Sequence, residues 1–239
     1  MPPQPDRPGL GYPALVVVSG SLVLATIYWT FFRAPFEAVM GAAQKIFYFH
    51  VPVAYSMYLG AAACCAGSVV YLYNQNERAD AIARAGAEVA FLYGAMTEAS
   101  GIIWARPIWG VYWSWEPRLL TALLSTMIYA AYVVLRSFAG DGEAERKFAA
   151  ALGVLGAANL PIIHYAVQKW GGNHPAVVTG KGGGLGHPDM KMAFSLGMIA
   201  FTLFTITLVW ARTRLHLARA RIERAEERAL ELGLLGDEA

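Results

Sequence analysis

Apolar positions in this chain are not spaced in threes and fours, as on the buried stripe of a soluble helix. They run on continuously, in windows of about twenty residues that hold almost no charge, the length a helix needs to cross a hydrocarbon core. Six such windows are expected as spans, over 14–32, 47–73, 83–104, 119–138, 148–167 and 192–210. The third and fifth are the least apolar, because Glu88, Glu98 and His164 fall inside them. The predicted fold class is all-α: a polytopic membrane protein of six transmembrane helices.

The polar stretches between and around the runs complete the layout. Residues 1–13, MPPQPDRPGLGYP, read as a disordered, Pro-rich lead-in. They do not read as a signal peptide, since the apolar run that follows is long and lacks a small-residue cleavage site. The transmembrane domain then covers 14–211. Within it, 105–118 carries a dense aromatic group, and Pro107 and Pro117 bracket it. A short external amphipathic helix there would place Trp109, Tyr112 and Trp113 on one face and Trp115 elsewhere. The Gly-rich segment 171–190 is expected as a flexible external loop. It contains TGKGGG, but no glycine stands at phosphate-loop spacing before it. Residues 212–239 alternate Arg and Glu and predict a charged cytoplasmic helix, a solvated surface or a docking face for a cytoplasmic partner or anionic headgroups.

Composition agrees with the hydropathy pattern. The chain is 56% hydrophobic and 15% charged, against about a quarter charged in soluble domains. A net charge of +2, with no basic face, gives no sign of a nucleic-acid partner. Orientation follows from the distribution of Lys and Arg. Twelve fall on the side of the two termini: Arg7, Arg78, Arg84, Arg136, Arg146, Lys147, Arg212, Arg214, Arg219, Arg221, Arg224 and Arg228. Seven fall on the other: Arg33, Lys45, Arg106, Arg118, Lys169, Lys181 and Lys191. Both termini are therefore expected in the cytoplasm, with the first, third and fifth connections facing outward. Cys64 and Cys65 are adjacent, and there is neither a C-x-x-C nor a C-x-x-C-H. Thiol redox chemistry and covalent haem attachment are not expected, and two small buried residues are.

The third connection, WGVYWSWEPR, sets Trp109, Tyr112, Trp113 and Trp115 within seven residues. One or two such rings would anchor a helix at the headgroups. Four predict a nearly continuous aromatic plate suited to a large, flat ligand. Three imidazoles lie on the same expected side: His50 at the start of the second span, and His174 and His187 after the fifth. Two imidazoles from different segments over an aromatic floor suit haem iron. A zinc site would call for a nearby Cys or a tight H-x-x-x-H pair, and the sequence has neither. Arg118 or Arg106 would pair with a propionate through its planar guanidinium. Glu116 is expected to orient Arg118 rather than touch the ligand. Glu88, Glu98 and His164 are expected chiefly as structural pairing partners, and His216 has no evident role.

The stretches QKIFYFHVP, SGIIWARPIWGVYWSWEPRLLT and PIIHYAVQKWGGNHP resemble those of the CcmC family, haem-handling membrane proteins of bacterial cytochrome c maturation. The resemblance runs from the first span to the sixth. The family segment commonly reads W-G-x-W-W-x-W-D. Here Tyr112 stands for the first of the paired tryptophans and Glu116 for the aspartate, and Pro175 follows His174. By position, the resemblance implies that non-covalent haem b is held by His50 and His174 as axial ligands. Trp109, Tyr112, Trp113, Trp115, Glu116 and Arg118 would line the site. It implies residence in the bacterial inner membrane and transfer of haem to a periplasmic CcmE-like chaperone. It further implies assembly with a CcmA-like ATPase, a CcmB-like membrane subunit and a small CcmD-like protein. The sequence contains no catalytic constellation, so a carrier is expected rather than an enzyme. The other readings are a b-type cytochrome or quinone oxidoreductase, which would want histidines at mid-span, and a permease subunit of an ABC transporter, which would want polar or broken helices at the midplane.

Overall fold

The computed structural model describes residues 10–139, 142–174 and 184–234, and those residues form helices joined by short connections. In chain order they are α1 (Gly11–Tyr28), α2 (Phe47–Asn74), α3 (Glu77–Trp109), α4 (Pro117–Phe138), α5 (Glu143–Ala158), α6 (Leu160–Trp170) and α7 (Pro188–Glu231). A π-helical turn, Trp29–Arg33, prolongs α1, and a 3₁₀ turn, Ala42–Ile46, leads into α2. Five stretches are long and apolar enough to cross a membrane: Gly11–Arg33, Ala42–Asn74, Pro117–Phe138, Glu143–Trp170 and Pro188–Glu231. The protein is thus of the multi-pass membrane type.

The expected third span is the one that does not qualify by composition. Its helix, α3, has 33 residues, about 50 Å of rise and ample for a bilayer. It also carries Arg78, Arg84, Glu88, Glu98 and Arg106. Its other face is small: Ala79, Ala83, Gly86, Ala87, Ala90 and Gly94 are all buried. Those residues let α2 lie against it at backbone distance. A Cβ added at Gly86 would stand 2.4 Å from Cys64 N, and one at Gly60 would stand 2.8 Å from Ala90 N. At Gly67 it would meet Ala79 O at 2.6 Å. Small residues on both partners are the usual way for helices in lipid to approach closely enough for dispersion to hold them. Gly67 against Ala79, Gly60 against Ala90 and His50 beside Gly101 set α2 and α3 antiparallel over their whole shared length.

Three other boundaries depart from the sequence expectation. Of the lead-in, residues 1–9 lie outside the described residues, whereas Gly11, Tyr12 and Pro13 already form the first turn of α1. Proline is tolerated there because its missing N–H would have had no helical partner. The fifth apolar run is two helices. Pro161 cannot donate a backbone hydrogen bond, and the chain breaks at Asn159, whose side-chain amide donates to Thr121 O at 2.7 Å and Ser125 Oγ at 2.8 Å on α4. The charged tail is not a separate helix either; α7 continues without interruption from Pro188 to Glu231.

The charges on α3 are paired at the end of the bundle that holds the start of α1. Glu88 accepts from Arg212 Nε at 2.6 Å, and His216 Nε2 lies 3.0 Å from its other oxygen. Asp80 accepts from Arg136 Nη2 at 2.8 Å. The structural role expected of Glu88 is therefore observed. His216 is buried against Glu88 and fastens α7 to α3.

Because the α2–α3 contact leaves no room for a Cβ, Gly86→Val should drive the two helices apart. We expect a loss of about 1–3 kcal/mol, read as a lower thermal unfolding midpoint in detergent. Gly20→Val, where a Cβ meets nothing within 4 Å, should leave the midpoint unchanged.

Candidate functional site

The site forms at the opposite end of the bundle, where α2 begins, α3 ends, α4 begins and α6 ends. His50 sits in the first turn of α2. Two residues on, Pro52 cannot donate to the carbonyl of Tyr48. Gly197 of α7 packs directly over that carbonyl, and a Cβ there would stand 2.8 Å from it. This contact fixes the start of α2 against α7. On its other side the His50 ring rests on α3. Nδ1 lies 2.8 Å from Ser100 Oγ, and Cε1 would lie 3.4 Å from a Cβ at Gly101.

The aromatic connection is built by two helix ends. Gly110 adopts φ +75° and donates its N–H to Arg106 O at 3.0 Å, which terminates α3 just after Trp109. A glycine in the left-handed region is a common helix stop. Arg106 also donates a side-chain hydrogen bond to the Gly110 carbonyl, and its guanidinium lies 5.5 Å from the Tyr112 ring. Pro117 then opens α4 at its first position. Residues 110–116 are too few and too constrained to form a helix of their own, so the expected amphipathic helix over 105–118 does not exist. Trp109 ends α3, Pro107 lies inside that helix, and Tyr112, Trp113 and Trp115 sit on an irregular strip.

The rings also do not form one flat plate. Trp104 and Trp109 meet edge to face at 5.2 Å and 83°, and Trp113 and Trp115 do so at 6.1 Å and 81°. Edge-to-face contact is a favoured arrangement for aromatic pairs, and it sets neighbouring rings at steep angles rather than in one plane. Trp109 and Trp113 are half-buried, whereas Tyr112 is 62% and Trp115 79% exposed.

The second histidine arrives from the far side. Gly171 (φ +78°) ends α6, and Gly172 (φ +139°) turns the chain back across α4. Glu116 fills the space beneath that turn: a Cβ on Gly172 would stand 2.8 Å from Glu116 Oε2. His174 then packs edge to face on Trp109, with ring centroids 6.4 Å apart. Burial, and next the positive charge of Arg118 and the nearness of the His50 ring, lower the His174 pKa to about 3. Its imidazole is therefore neutral at ordinary pH, with one ring nitrogen free to donate a lone pair. Residues 175–183 of the Gly-rich loop lie outside the described residues.

Several polar atoms here are buried with no partner among the described residues: Trp113 Nε1, Ser114 Oγ, both carboxylate oxygens of Glu116, His174 Nδ1 and, on α3, Glu98 Oε1. A buried polar group normally finds a hydrogen bond. Atoms of this kind also occur elsewhere in the bundle, on Tyr48, Tyr93, Tyr129 and Tyr132 among others. The sequence-derived residues do not all converge. His174 packs on Trp109, the charge of Arg118 reaches both His50 and His174, and Glu116 lies under the turn at Gly172. Glu116 makes no ion pair with Arg118. Arg106 is occupied by the end of its own helix. His187 caps α7, accepting from the Asp189 backbone N–H at 3.2 Å, and His164 packs on Tyr165. Ser100 and Trp104 were not anticipated from the sequence; their place depends on how α3 registers against α2, which no local pattern encodes.

Among the described residues, no three His, Cys, Asp or Glu side chains gather in a set able to hold a bare metal ion. The donors present are two imidazoles, a guanidinium and indole faces, which is the chemistry of an iron porphyrin with anionic edges.

Known proteins resemble most of the chain. The family model described as Heme exporter protein C matches residues 9–228. The chain is 33% identical to Heme exporter protein C of Bradyrhizobium diazoefficiens, over 79% of this chain and 72% of that one. It is 28% identical to the Escherichia coli K12 protein of the same name, covering 84% and 82%. A ccmC-like mitochondrial protein of cytochrome c biosynthesis from Marchantia polymorpha is 27% identical, covering 77% and 78%. With a family match over most of its length, and membrane-spanning helices that place histidines and tryptophans at one end, the chain belongs to the heme exporter protein C family of cytochrome c biogenesis.

Proposed function

We propose that this protein holds haem b, non-covalently, at the outer face of the bacterial inner membrane and hands it to a periplasmic chaperone for cytochrome c maturation. One observation carries the reading. His50 and His174, from segments far apart in sequence, lie close enough to influence each other's charge, with Arg118 near both and Trp109 against His174, and among the described residues no hydrogen bond engages Nε2 of either ring. Iron would be clasped between the two imidazoles. The porphyrin would lie against Trp109, Trp113 and Trp115, with Tyr112 at its rim. Arg118 has no carboxylate partner among the described residues and would take a propionate, a bidentate match. Glu116 would accept a hydrogen bond from the loaded site.

Haem here is cargo, so the chain's own task is to bind, orient and release, not to catalyse a bond change. The partners in this reading are those of a heme exporter complex: an ATPase and membrane subunit resembling CcmA and CcmB, a small CcmD-like protein, and the chaperone. Both termini lie in the cytoplasm, six helices cross with α3 sheltered inside, and the site faces the periplasm. The break in the fifth segment is the feature a permease would use. Its polar residue, Asn159, is already satisfied by α4, which makes the break a tie between helices rather than a substrate site.

His50→Ala and His174→Ala should each diminish and shift the Soret absorbance of haem that co-purifies with the protein. Unchanged spectra in both variants would overturn the assignment. Arg118→Gln should weaken haem binding by about tenfold or more while keeping the bis-imidazole spectrum, since a charge-assisted hydrogen bond is worth about 1.5–3 kcal/mol. For topology, a fluorescent protein fused after residue 234 should fluoresce, and alkaline phosphatase fused there should be inactive; the reverse pattern would invert the orientation.

A further inference from the structure

We propose that Ser100 is a positioning residue: its hydroxyl oxygen holds the Nδ1 proton of His50 and so presents an unprotonated Nε2 to the iron. The inference rests on the reading of His50 as a haem ligand and adds to it a residue on a different helix.

The argument is an accounting of protons. A serine hydroxyl has one proton and two acceptor lone pairs. Ser100 Oγ lies 2.7 Å from Met96 O and 3.2 Å from Thr97 O, both backbone carbonyls one turn back along α3. Carbonyls only accept, so the hydroxyl proton is committed to them, as is usual for serine inside a helix. With the hydroxyl proton directed to those carbonyls, the 2.8 Å contact with His50 Nδ1 takes its proton from the ring. That tautomer of the neutral imidazole leaves the lone pair on Nε2, which has no hydrogen-bond partner among the described residues and is not one of the sealed polar atoms.

Gly101 completes the seat. A Cβ there would come within 3.4 Å of Cε1, so the absence of a side chain lets the ring lie against α3 with Nδ1 over Ser100. An acceptor behind a ligating imidazole also raises its basicity and holds its orientation. His174 has no such support: its Nδ1 is buried with no partner among the described residues. The two histidines are therefore unequally prepared, and the prepared one is on the helices.

The test compares wild type, Ser100→Ala and Ser100→Thr, purified free of haem in lipid nanodiscs and titrated with hemin by absorbance. Loss of a hydrogen bond behind a metal ligand typically weakens binding about tenfold to hundredfold. We expect that loss in Ser100→Ala and its recovery in Ser100→Thr, whose hydroxyl makes the same back-bond to the helix. The midpoint potential of bound haem should rise in Ser100→Ala, because a less basic imidazole stabilises ferric iron less. A packing role would not produce that change, and alanine costs α3 nothing as a helix, so the unfolding midpoint serves as the control. Wild-type affinity and potential in Ser100→Ala, with haem lost in His50→Ala, would overturn the role of Ser100 alone. Haem binding unaltered in His50→Ala would overturn the ligand assignment and this inference with it.

Discussion

The backbone-to-backbone contact between α2 and α3 is the constraint on which the rest of the molecule depends. Glycines 60, 67 and 86 bring the two helices closer than any Cβ would allow. Dispersion and complementary shape supply the attraction here, because lipid offers no hydrophobic drive between helices. Such a contact has one register. It sets Ser100 and Gly101 opposite His50 at one end and carries Glu88 and Asp80 toward the charged end of the bundle. A single stripe of small residues thus decides where the polar side chains of a thirty-three-residue helix come to lie.

The ends of α3 are finished differently. At the charged end, Glu88 and Asp80 are met by Arg212, His216, Arg136 and Arg146 from α7, α4 and α5. Carboxylates at membrane depth are costly unless paired, so these contacts tie three helices to α3 and leave little charge unmet. At the site end, Glu116, Trp113 Nε1 and His174 Nδ1 are buried with no hydrogen-bond partner among the described residues. Ion pairing thus fixes one end of α3, whereas no ion pair among the described residues engages Glu116 at the other.

This contrast also explains what could be read in the sequence. Hydropathy alone located the apolar segments, since a bilayer-length run admits few other structures. It does not single out α3, whose buried face is built of small residues and whose length also carries charge. The aromatic cluster and the histidines stood out by density and side, and the motifs around His50, Trp109 and His174 carried the family resemblance. What could not be read were relations between segments. Asn159 and Pro161 form a visible break signal, yet whether a polar residue there serves transport or packing depends on Thr121 and Ser125, nearly forty positions earlier. His216 looked idle until Glu88 was found beside it. The aromatic strip was expected to be helical because its spacing allowed it. Gly110 in the left-handed region and Pro117 at the start of α4 leave it no room.

The same separation of rigid and irregular parts suits a protein that must bind its cargo and give it up. His50 stands in the first turn of a helix, braced by α7 on one side and by Ser100 and Gly101 on the other. His174 stands on a connection that leaves α6 through two glycines at positive φ, and it is steadied chiefly by Trp109. His50 lies within the packed α2–α3 pair, whereas His174 lies beyond the last turn of α6. A site with two equally rigid ligands would bind well and release poorly. With two loose ones, the geometry that iron requires would have to be assembled at each encounter. One braced imidazole and one carried on a turn meet both demands, and the brace originates in the glycines of α2 and α3.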